Sequence, residues 1–588
     1  MRPASSAGVR SGRPLSVRAC RYLRAVKTVP KMLPGDRVEL RKQRGAFFTP
    51  LPIAKFLVDW ALAGAPEESR VLDPTCGEGV FLLTAAENLQ RRGLSIADMA
   101  GLLYGVDLHG ASLRETRELL GAAGPGAELR IADFFDQPTP AQPDAELPWM
   151  DAVVGNPPFV RYHDHRGDAR RRSVTAALRQ GVRLSGLASS WAALLVHAAS
   201  FLKPEGRIAM VLPAELLTVG YAEPVRRWLS ARFARVHLVL FDELQFPDAD
   251  EQVVLLIAQG TGGCDAFGLH QVRDAAELRS KHLFDTDPVT LGAPEDKWTD
   301  LLLPVDRRNL FRRVIAQAFT GLESYGRPEL GTVTGANSFF TLSEKTRKDY
   351  KLPTRHLLKI VPPGARHIRG TSFSRGQWEE LREAGQRVWM LHPEVDKPTG
   401  ALATYLAAGE RLGVPDAYKC SVRSIWWRPP AVSTPDLFFT YMSHSSPRLV
   451  SNAAGATIVN SLHGITLVND APDVAQDALP LLTLNSATML GAELYGRSYG
   501  GGILKMEPRE AARLPVPCPA SLVAAWERLR PRAARLGGLV RAGGWREALS
   551  EVDDVLLHQT IGLSLDEVAA LRGATTRLRQ RRTRKNEQ

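Results

Sequence analysis

No apolar run in this chain approaches the roughly 18 residues that a membrane-spanning helix needs, so no membrane partner is expected. Cysteine is scarce. The five present (Cys20, Cys76, Cys264, Cys420 and Cys518) are scattered, odd in number and form no Cys-x-x-Cys pair. That argues against a disulfide framework and against a zinc site, so no metal is expected and a reducing, cytoplasmic setting follows. Aspartate and glutamate are missing altogether from residues 1–35, which carry eight basic residues. An Arg-rich, acid-free stretch is how a transit peptide reads. An upstream extension of the reading frame, or a basic disordered tail, accounts for it as well, and a disordered tail is the expectation for residues 1–35. Internal repeats are absent too.

The net charge of +12 invites a nucleic-acid reading, but its location weakens that argument. Residues 572–588 carry seven basic residues against Glu587, and with the acid-free head set aside the stretch between is close to neutral. The run from Arg577 to Lys585 reads as a flexible basic tail able to add non-specific affinity. One internal patch is different. Arg161, Arg166, Arg170, Arg171, Arg172, Arg179 and Arg183 are opposed only by Asp164 and Asp168. Such a loop is suited to gripping phosphates, although a solvated helix face is the plainer reading of a charge run.

What the chain does have is a short apolar strand, Asp151-Ala152-Val153-Val154-Gly155, that ends in Asn156-Pro157-Pro158-Phe159. Asn-Pro alone is a common turn starter. The tetrapeptide also supplies what methylation of an exocyclic amine requires. Such a nitrogen is planar, with its lone pair delocalised, and must be activated without being deprotonated. The Asn156 side-chain carbonyl and the Pro157 backbone carbonyl can both accept from one NH2 group and draw it toward a tetrahedral shape. Pro157 and Pro158 stiffen the backbone so that those oxygens point one way. Phe159 offers a flat face for the ring that bears the amine.

Upstream, Arg70-Val71-Leu72-Asp73-Pro74-Thr75-Cys76-Gly77-Glu78-Gly79-Val80-Phe81 reads as a strand, a glycine turn and the start of a helix. The glycine pair lets backbone approach a ligand at the carboxyl edge of a parallel sheet. A dinucleotide fingerprint fits poorly, because its third glycine would fall at Leu82 and the next strand-end acid, Asp107, lies 28 residues beyond Gly79. Tyr104-Gly105-Val106-Asp107 places a carboxylate within reach of ribose hydroxyls. Leu129-Arg130-Ile131-Ala132 runs into Asp133-Phe134-Phe135, a carboxylate beside rings suited to the edge and face of an adenine. Cys76 reads as a small packing residue within the turn.

These residues resemble the S-adenosylmethionine-dependent amino methyltransferases, and among them the gamma-class, TaqI-like adenine-N6 DNA methyltransferases. The resemblance extends to Gly45-Ala46-Phe47-Phe48-Thr49-Pro50, to Gly206–Pro213 and to Phe246-Pro247, in the family's order across residues 44–258. It implies S-adenosyl-L-methionine as cofactor, held at Thr49, Asp73, Cys76, Gly77, Gly79, Asp107, Asp133 and Phe134. It implies target-amine contacts from Asn156 and Pro157, and stacking of an extruded base on Phe159 and Phe246. Within the family the resemblance is to modification methylases of the SalI and XamI kind, which implies the site GTCGAC. A cognate restriction endonuclease is then a genetic partner, and the enzyme is expected to act on double-stranded DNA as a monomer.

Only 22 residues separate Asp133 from Asn156, too few for a DNA-reading domain, so recognition is expected C-terminally. The expected fold is α/β. A Rossmann-like class I methyltransferase domain spans 36–260, followed by a linker over 261–305, a mixed α/β DNA-recognition domain over 306–520, and C-terminal helices with a basic tail over 521–588. Val236–Phe241 and Val253–Ala258 should pair as the hairpin that closes the catalytic fold. Gly331–Phe340, Trp426-Trp427-Arg428, Val459–His463 and Gly500–Lys505 resemble parts of a TaqI-like specificity domain. Two alternatives remain: a methyltransferase acting on RNA or a protein amide, and a non-catalytic DNA-binding protein with a vestigial cofactor site.

Overall fold

The computed structural model describes residues 49–583 except 161–163, 242, 244, 247–252, 281–282, 291–296, 431–432 and 500–501. The chain divides into two units between Leu302 and Leu303.

The first unit is built on one nine-stranded sheet. Its strands are β1 (Val71–Asp73), β2 (Leu103–Asp107), β3 (Glu128–Ile131), β4 (Met150–Gly155), β5 (Leu202–Pro213), β6 (Arg235–Phe241), β7 (Val253–Gln259), β8 (Ala266–Val272) and β9 (Val289–Thr290). They lie in the order β3-β2-β1-β4-β5-β7-β6-β8-β9. The first five run parallel, and β7 is antiparallel to both β5 and β6. Strand order reverses between β1 and β4, which leaves a crevice at the carboxyl ends of those strands, where open α/β sheets bind ligands.

Burial explains why these segments are strands. All six residues of β4 are buried, as parallel strands covered by helices on both faces must be. The helices are α1 (Leu51–Leu62), α2 (Val80–Arg91), α3 (Gly110–Leu120), α4 (Gly167–Arg179) and α5 (Ser190–Ala199). In α1 the buried Leu51, Ile53, Ala54, Leu57, Val58, Ala61 and Leu62 recur at helical spacing, and Pro52 sits in the first turn where its missing N–H costs nothing. Every residue of α5 is buried.

Two expectations fail here. The hairpin of β6 and β7 does not end the sheet, because β8 pairs with β6 in parallel and β9 with β8. Ala266–Val272 and Val289–Thr290, within the segment 261–305, are therefore sheet and not linker. The apolar residues Phe267, Leu269 and Val272 are buried and needed a strand partner.

The second unit carries several small sheets. The largest has five strands and runs Pro328–Leu330, His463–Ile465, Leu437–Phe439, Leu449–Ala453, Ser372–Ser374 from edge to edge. The segments expected to mark a specificity domain supply much of its interior. Phe339, Phe340, Trp426 and Trp427 join one aromatic core with Tyr405. Thr332 and Asn460 are tied by backbone and side-chain bonds around Asn337. His463 is fully buried and stacks on Tyr441 at 4.2 Å.

Helices follow from Pro519, ending in Leu565–Thr583. The flexible basic tail expected from Arg577 onward is corrected as far as Thr583. Arg582 is buried and pairs with the buried Glu493 at 2.8 Å, and Arg579 lies 3.6 Å from the same carboxylate. The basic run folds because an acid on helix Ser486–Tyr495 waits for it. Among the described residues no helix is long and apolar enough to cross a membrane.

Candidate active site

Four neighbouring parallel strands deliver the polar residues singled out in the sequence to one edge. Asp73 ends β1, Asp107 ends β2, Asp133 lies just beyond β3, and Asn156 follows β4 directly. The glycine turn leaves β1 in a left-handed conformation, with φ +48° at Gly77 and +76° at Gly79. A Cβ at Gly79 would fall 2.4 Å from the Thr116 side chain, so only glycine fits. Thr116, on α3, donates to the Gly77 carbonyl at 3.0 Å and pins the turn from below.

Asp107 accepts from the Gly77 N–H at 2.9 Å and from the His109 N–H at 2.8 Å, one on each oxygen. A carboxylate oxygen can accept more than one bond, so this acid holds the turn and retains capacity for a ligand hydroxyl. Asp73 is different. It is buried, and burial pushes its carboxyl up to about 8; the Thr75 N–H at 3.2 Å opposes that shift and the charge of Asp107 adds to it. Gly155 makes room for it, since a Cβ there would lie 2.9 Å from the Asp73 carboxylate. Burial, then Asp73 and Asp107, push the Cys76 thiol well above its usual range. Cys76 packs with Leu82, Leu113 and Leu129, and a thiol held protonated is no nucleophile.

Asn156 donates its amide NH2 to the hydroxyl of the buried Thr49 at 3.2 Å, across 107 residues of sequence. That bond turns the carbonyl end of the amide away from Thr49. Thr49 opens the segment leading into α1; Gly45 to Phe48 lie outside the described residues, as do Arg161 and Pro247. Phe159 and Phe246 are both buried.

The remaining predicted residues are placed in ways the sequence did not anticipate. Phe134 turns inward, its ring 5.0 Å from His197 and 5.1 Å from Phe201, so it is a core residue rather than an open face. Its carbonyl bonds His197 Nε2 at 3.1 Å, and burial lowers that imidazole to about 4, leaving it neutral. Arg172, on α4, is partly exposed but already paired. It reaches back to Asp133 through Nε at 3.1 Å and Nη2 at 2.8 Å. Arg171 pairs with Asp168 at the surface, and Arg170 is half-buried beside Gly186.

Ser190 was missed altogether. Its hydroxyl donates to the Pro158 carbonyl at 2.5 Å and accepts from the Val160 N–H at 3.0 Å. The only sequence signal was a Ser-Ser pair ahead of an apolar helix, which reads as a helix start. No group of acids, histidines or cysteines among the described residues could hold a metal ion.

Residues 37–231 match the family model described as N-6 DNA Methylase, and residues 295–557 match that of the C-terminal domain of type II methyltransferase M.Eco57I. The chain is a type II DNA methyltransferase. Its catalytic half is the part that the N-6 DNA Methylase model matches. This methyltransferase is 27% identical over 490 residues to type II methyltransferase M.XamI of Xanthomonas campestris pv. amaranthicola, covering 80% of this chain and 85% of that one. It is 20% identical over 486 residues to type II methyltransferase M.AccI of Acinetobacter calcoaceticus, with the same coverage. Among solved structures, the type IIL restriction-modification enzyme MmeI, in complex with DNA, matches with a TM-score of 0.50 and 12% identity, over 90% of this chain and 75% of that one. At that identity the likeness is one of fold.

Proposed function

We propose that this methyltransferase acts at a specific sequence in double-stranded DNA, methylating N6 of an adenine that is extruded from the helix, with S-adenosyl-L-methionine as cofactor. The observation that carries the reading is the Asn156 amide. It stands at the carboxyl end of β4, held by Thr49, beside the strand ends that bear Asp73, Asp107 and Asp133.

The residues present fit the cofactor. The left-handed turn at Gly77 is open, with nothing within 4 Å of where a Cβ would stand, and acids end the adjoining strands. Asp107 would hold the ribose hydroxyls, Asp133 the adenine amine, and the Gly77–Gly79 backbone with Asp73 and Thr49 the methionine end. When bound, the cofactor supplies an electrophilic methyl group on a sulfonium. The chain's own work is on the acceptor. Asn156 and the Pro157 carbonyl accept from the adenine N6 hydrogens and free its lone pair, and Phe159 and Phe246 stack the base. Extrusion is required because N6 is buried in the pair, and it costs a few kcal/mol that stacking and phosphate contacts offset. The proton leaves after attack, since the product ammonium is strongly acidic. No covalent enzyme intermediate is needed.

Residues beyond Leu302 choose the sequence in this reading, with GTCGAC the first site to try, and the order of motifs is that of the gamma class. The protein works as a monomer, and a separate restriction enzyme shares its site.

The test is to incubate the protein with tritiated S-adenosylmethionine and unmethylated duplex DNA, digest to nucleosides and map the label. N6-methyladenine at one recurring sequence is expected. Label in N4-methylcytosine, in RNA or in protein glutamine, with none in adenine, would overturn the reading.

A further inference from the structure

The loop Asn156–Phe159 is held from outside itself by Thr49 at Asn156 and by Ser190 around Phe159. Ser190, the first residue of α5, makes three hydrogen bonds to the residues that bracket Phe159. Its hydroxyl donates to the Pro158 carbonyl at 2.5 Å and accepts from the Val160 N–H at 3.0 Å, while its own N–H donates to the Val160 carbonyl at 3.0 Å. Both peptide groups flanking Phe159 are therefore fixed by one side chain 5% exposed.

Ser190 is in turn fixed by its neighbours. The Ser189 hydroxyl, the Trp191 indole N–H and the Tyr221 hydroxyl converge on the Glu215 carboxylate just beyond β5, with Trp191 Nε1 at 3.3 Å from it and Tyr221 OH at 2.9 Å from Ser189 Oγ. Burial, followed by the charge of Glu215, pushes the Tyr221 phenol up, so it remains a donor. The start of α5 is thus locked to the end of β5, and from that anchored point one hydroxyl reaches the loop.

We propose that Ser190 is a positioning residue that sets the Phe159 ring, and through the same peptide run the Pro157 carbonyl and Asn156, for the extruded base. The proposal rests on the reading of the loop as the adenine pocket. A serine there is the smallest side chain that can both donate to one carbonyl and accept from the next amide. Alanine removes this hold on both peptide groups that flank the ring. Misplacement of a reacting group by about 1 Å costs on the order of 100-fold in rate, whereas cofactor affinity, set at β1 to β3, should not move.

The experiment compares Ser190→Ala with Ser200→Ala, which removes a hydroxyl bonded to the His197 carbonyl at the far end of the same helix. Three readouts are taken: single-turnover methylation, dissociation constants for cofactor and duplex, and fluorescence of a duplex carrying 2-aminopurine at the target adenine. S190A should methylate about 10- to 100-fold more slowly, with both dissociation constants within about threefold and a changed 2-aminopurine signal. S200A should match wild type. Equal rates for S190A and wild type would overturn the proposal. So would a slowing that S200A shares, or one that tracks a fall in thermal midpoint and cofactor affinity. Should S190A fold poorly, Ser190→Thr decides, because it keeps the hydroxyl: near-normal turnover supports the role and slow turnover removes it. A wild-type protein that methylates no duplex would instead remove the adenine reading itself.

Discussion

In the first unit Asp73, Asp107 and Asn156 end or follow three neighbouring strands and are tied to backbone amides and a hydroxyl, with Asp133 beside them met by both a backbone amide and Arg172, whereas in the second the buried Glu493 and Asp553 are each met by an arginine of helix Leu565–Thr583. Asp553 also accepts from the Ser486 N–H at 2.7 Å and from its hydroxyl at 2.6 Å, so little of its capacity is left. Polar groups at the open edge of a sheet keep room for a ligand. Those in the second unit neutralise one another and hold helices together. Substitutions in the first should therefore cost chemistry or binding while sparing the fold, and substitutions in the second should do the reverse.

Asn156→Ala gives the sharpest test of the first half of that contrast. Asn156 contributes when the amine becomes tetrahedral, so its loss should lower turnover by three orders of magnitude or more, about 4 kcal/mol, with DNA and cofactor dissociation constants within about tenfold. Single-turnover methylation beside equilibrium binding measures both. Near-normal turnover would take Asn156 out of the mechanism.

Arg582→Ala probes the other half. It strips a charge partner from Glu493, whose side chain is 2% exposed, and removes the donor to the Gly502 carbonyl. Breaking a buried pair typically costs 3 to 5 kcal/mol. Arg579 remains at 3.6 Å, so about 3 kcal/mol is expected, read as a lower denaturation midpoint for the second unit. Cofactor affinity should stay unchanged. A variant that lost cofactor binding and kept its midpoint would break the comparison.

How much of this was legible in the sequence follows the same division. The strand-end acids and Asn156 could be found because chemistry demands particular residues at particular points of a local pattern, and each lies in or just beyond one short strand. What the sequence hid was non-local. Ser190 meets the Asn156 loop across about 30 residues, Thr49 meets Asn156 across 107, and Arg582 meets Glu493 across 89. A basic run gives no sign of the acid that will neutralise it, which is why Arg579 and Arg582 read as a tail. Strand β8 was misread for a related reason. Its apolar residues pair with β6, a neighbour fixed by topology rather than by local pattern.

Asp107→Ala should weaken cofactor binding by about 1.5 to 3 kcal/mol, the usual loss for hydrogen bonds to a charged group. The same change frees the Gly77 and His109 amides that Asp107 now holds, so the turn loosens with the ligand site. Titration calorimetry with the cofactor, beside DNA binding as the spared quantity, checks it. Unchanged affinity would assign Asp107 to the turn alone.

Asp73 carries a smaller effect with a defined sign. Its folded carboxyl is pushed up to about 8, whereas an unfolded chain ionises it near pH 3.9. The native state therefore holds an extra proton between those values. The stability this contributes is fully present below about pH 4, falls as pH rises and is gone above about pH 8. Between pH 6 and 7 the loss should be about 1.3 kcal/mol, and at most about 1.4 per pH unit. Asp73→Asn should abolish that slope when denaturant midpoints are compared across pH without added cofactor. An identical slope in both proteins would place the proton elsewhere.

The arginines of α4 test the comparison at its finest grain, because they divide between its two behaviours within one helix. Arg172 is spent on Asp133, with Asp136 at 3.4 Å, as the arginines of the second unit are spent on their acids. Among the described residues Arg171 pairs only with Asp168, both side chains being more than two-thirds exposed, and such a pair contributes little and is screened by salt. Phosphates can compete for Arg171 at small cost. Neutralising Arg170 and Arg171 together should therefore flatten the dependence of DNA affinity on salt by up to about two phosphate contacts, a change of slope near 1.8, equally for all sequences and without effect on the cofactor. Arg172→Ala should leave that slope alone and disturb cofactor affinity through Asp133 instead. Binding isotherms at several salt concentrations separate the two. A salt slope that follows Arg172 would mean its pair with Asp133 opens when DNA arrives, and the whole face of α4 would then belong to the nucleic acid.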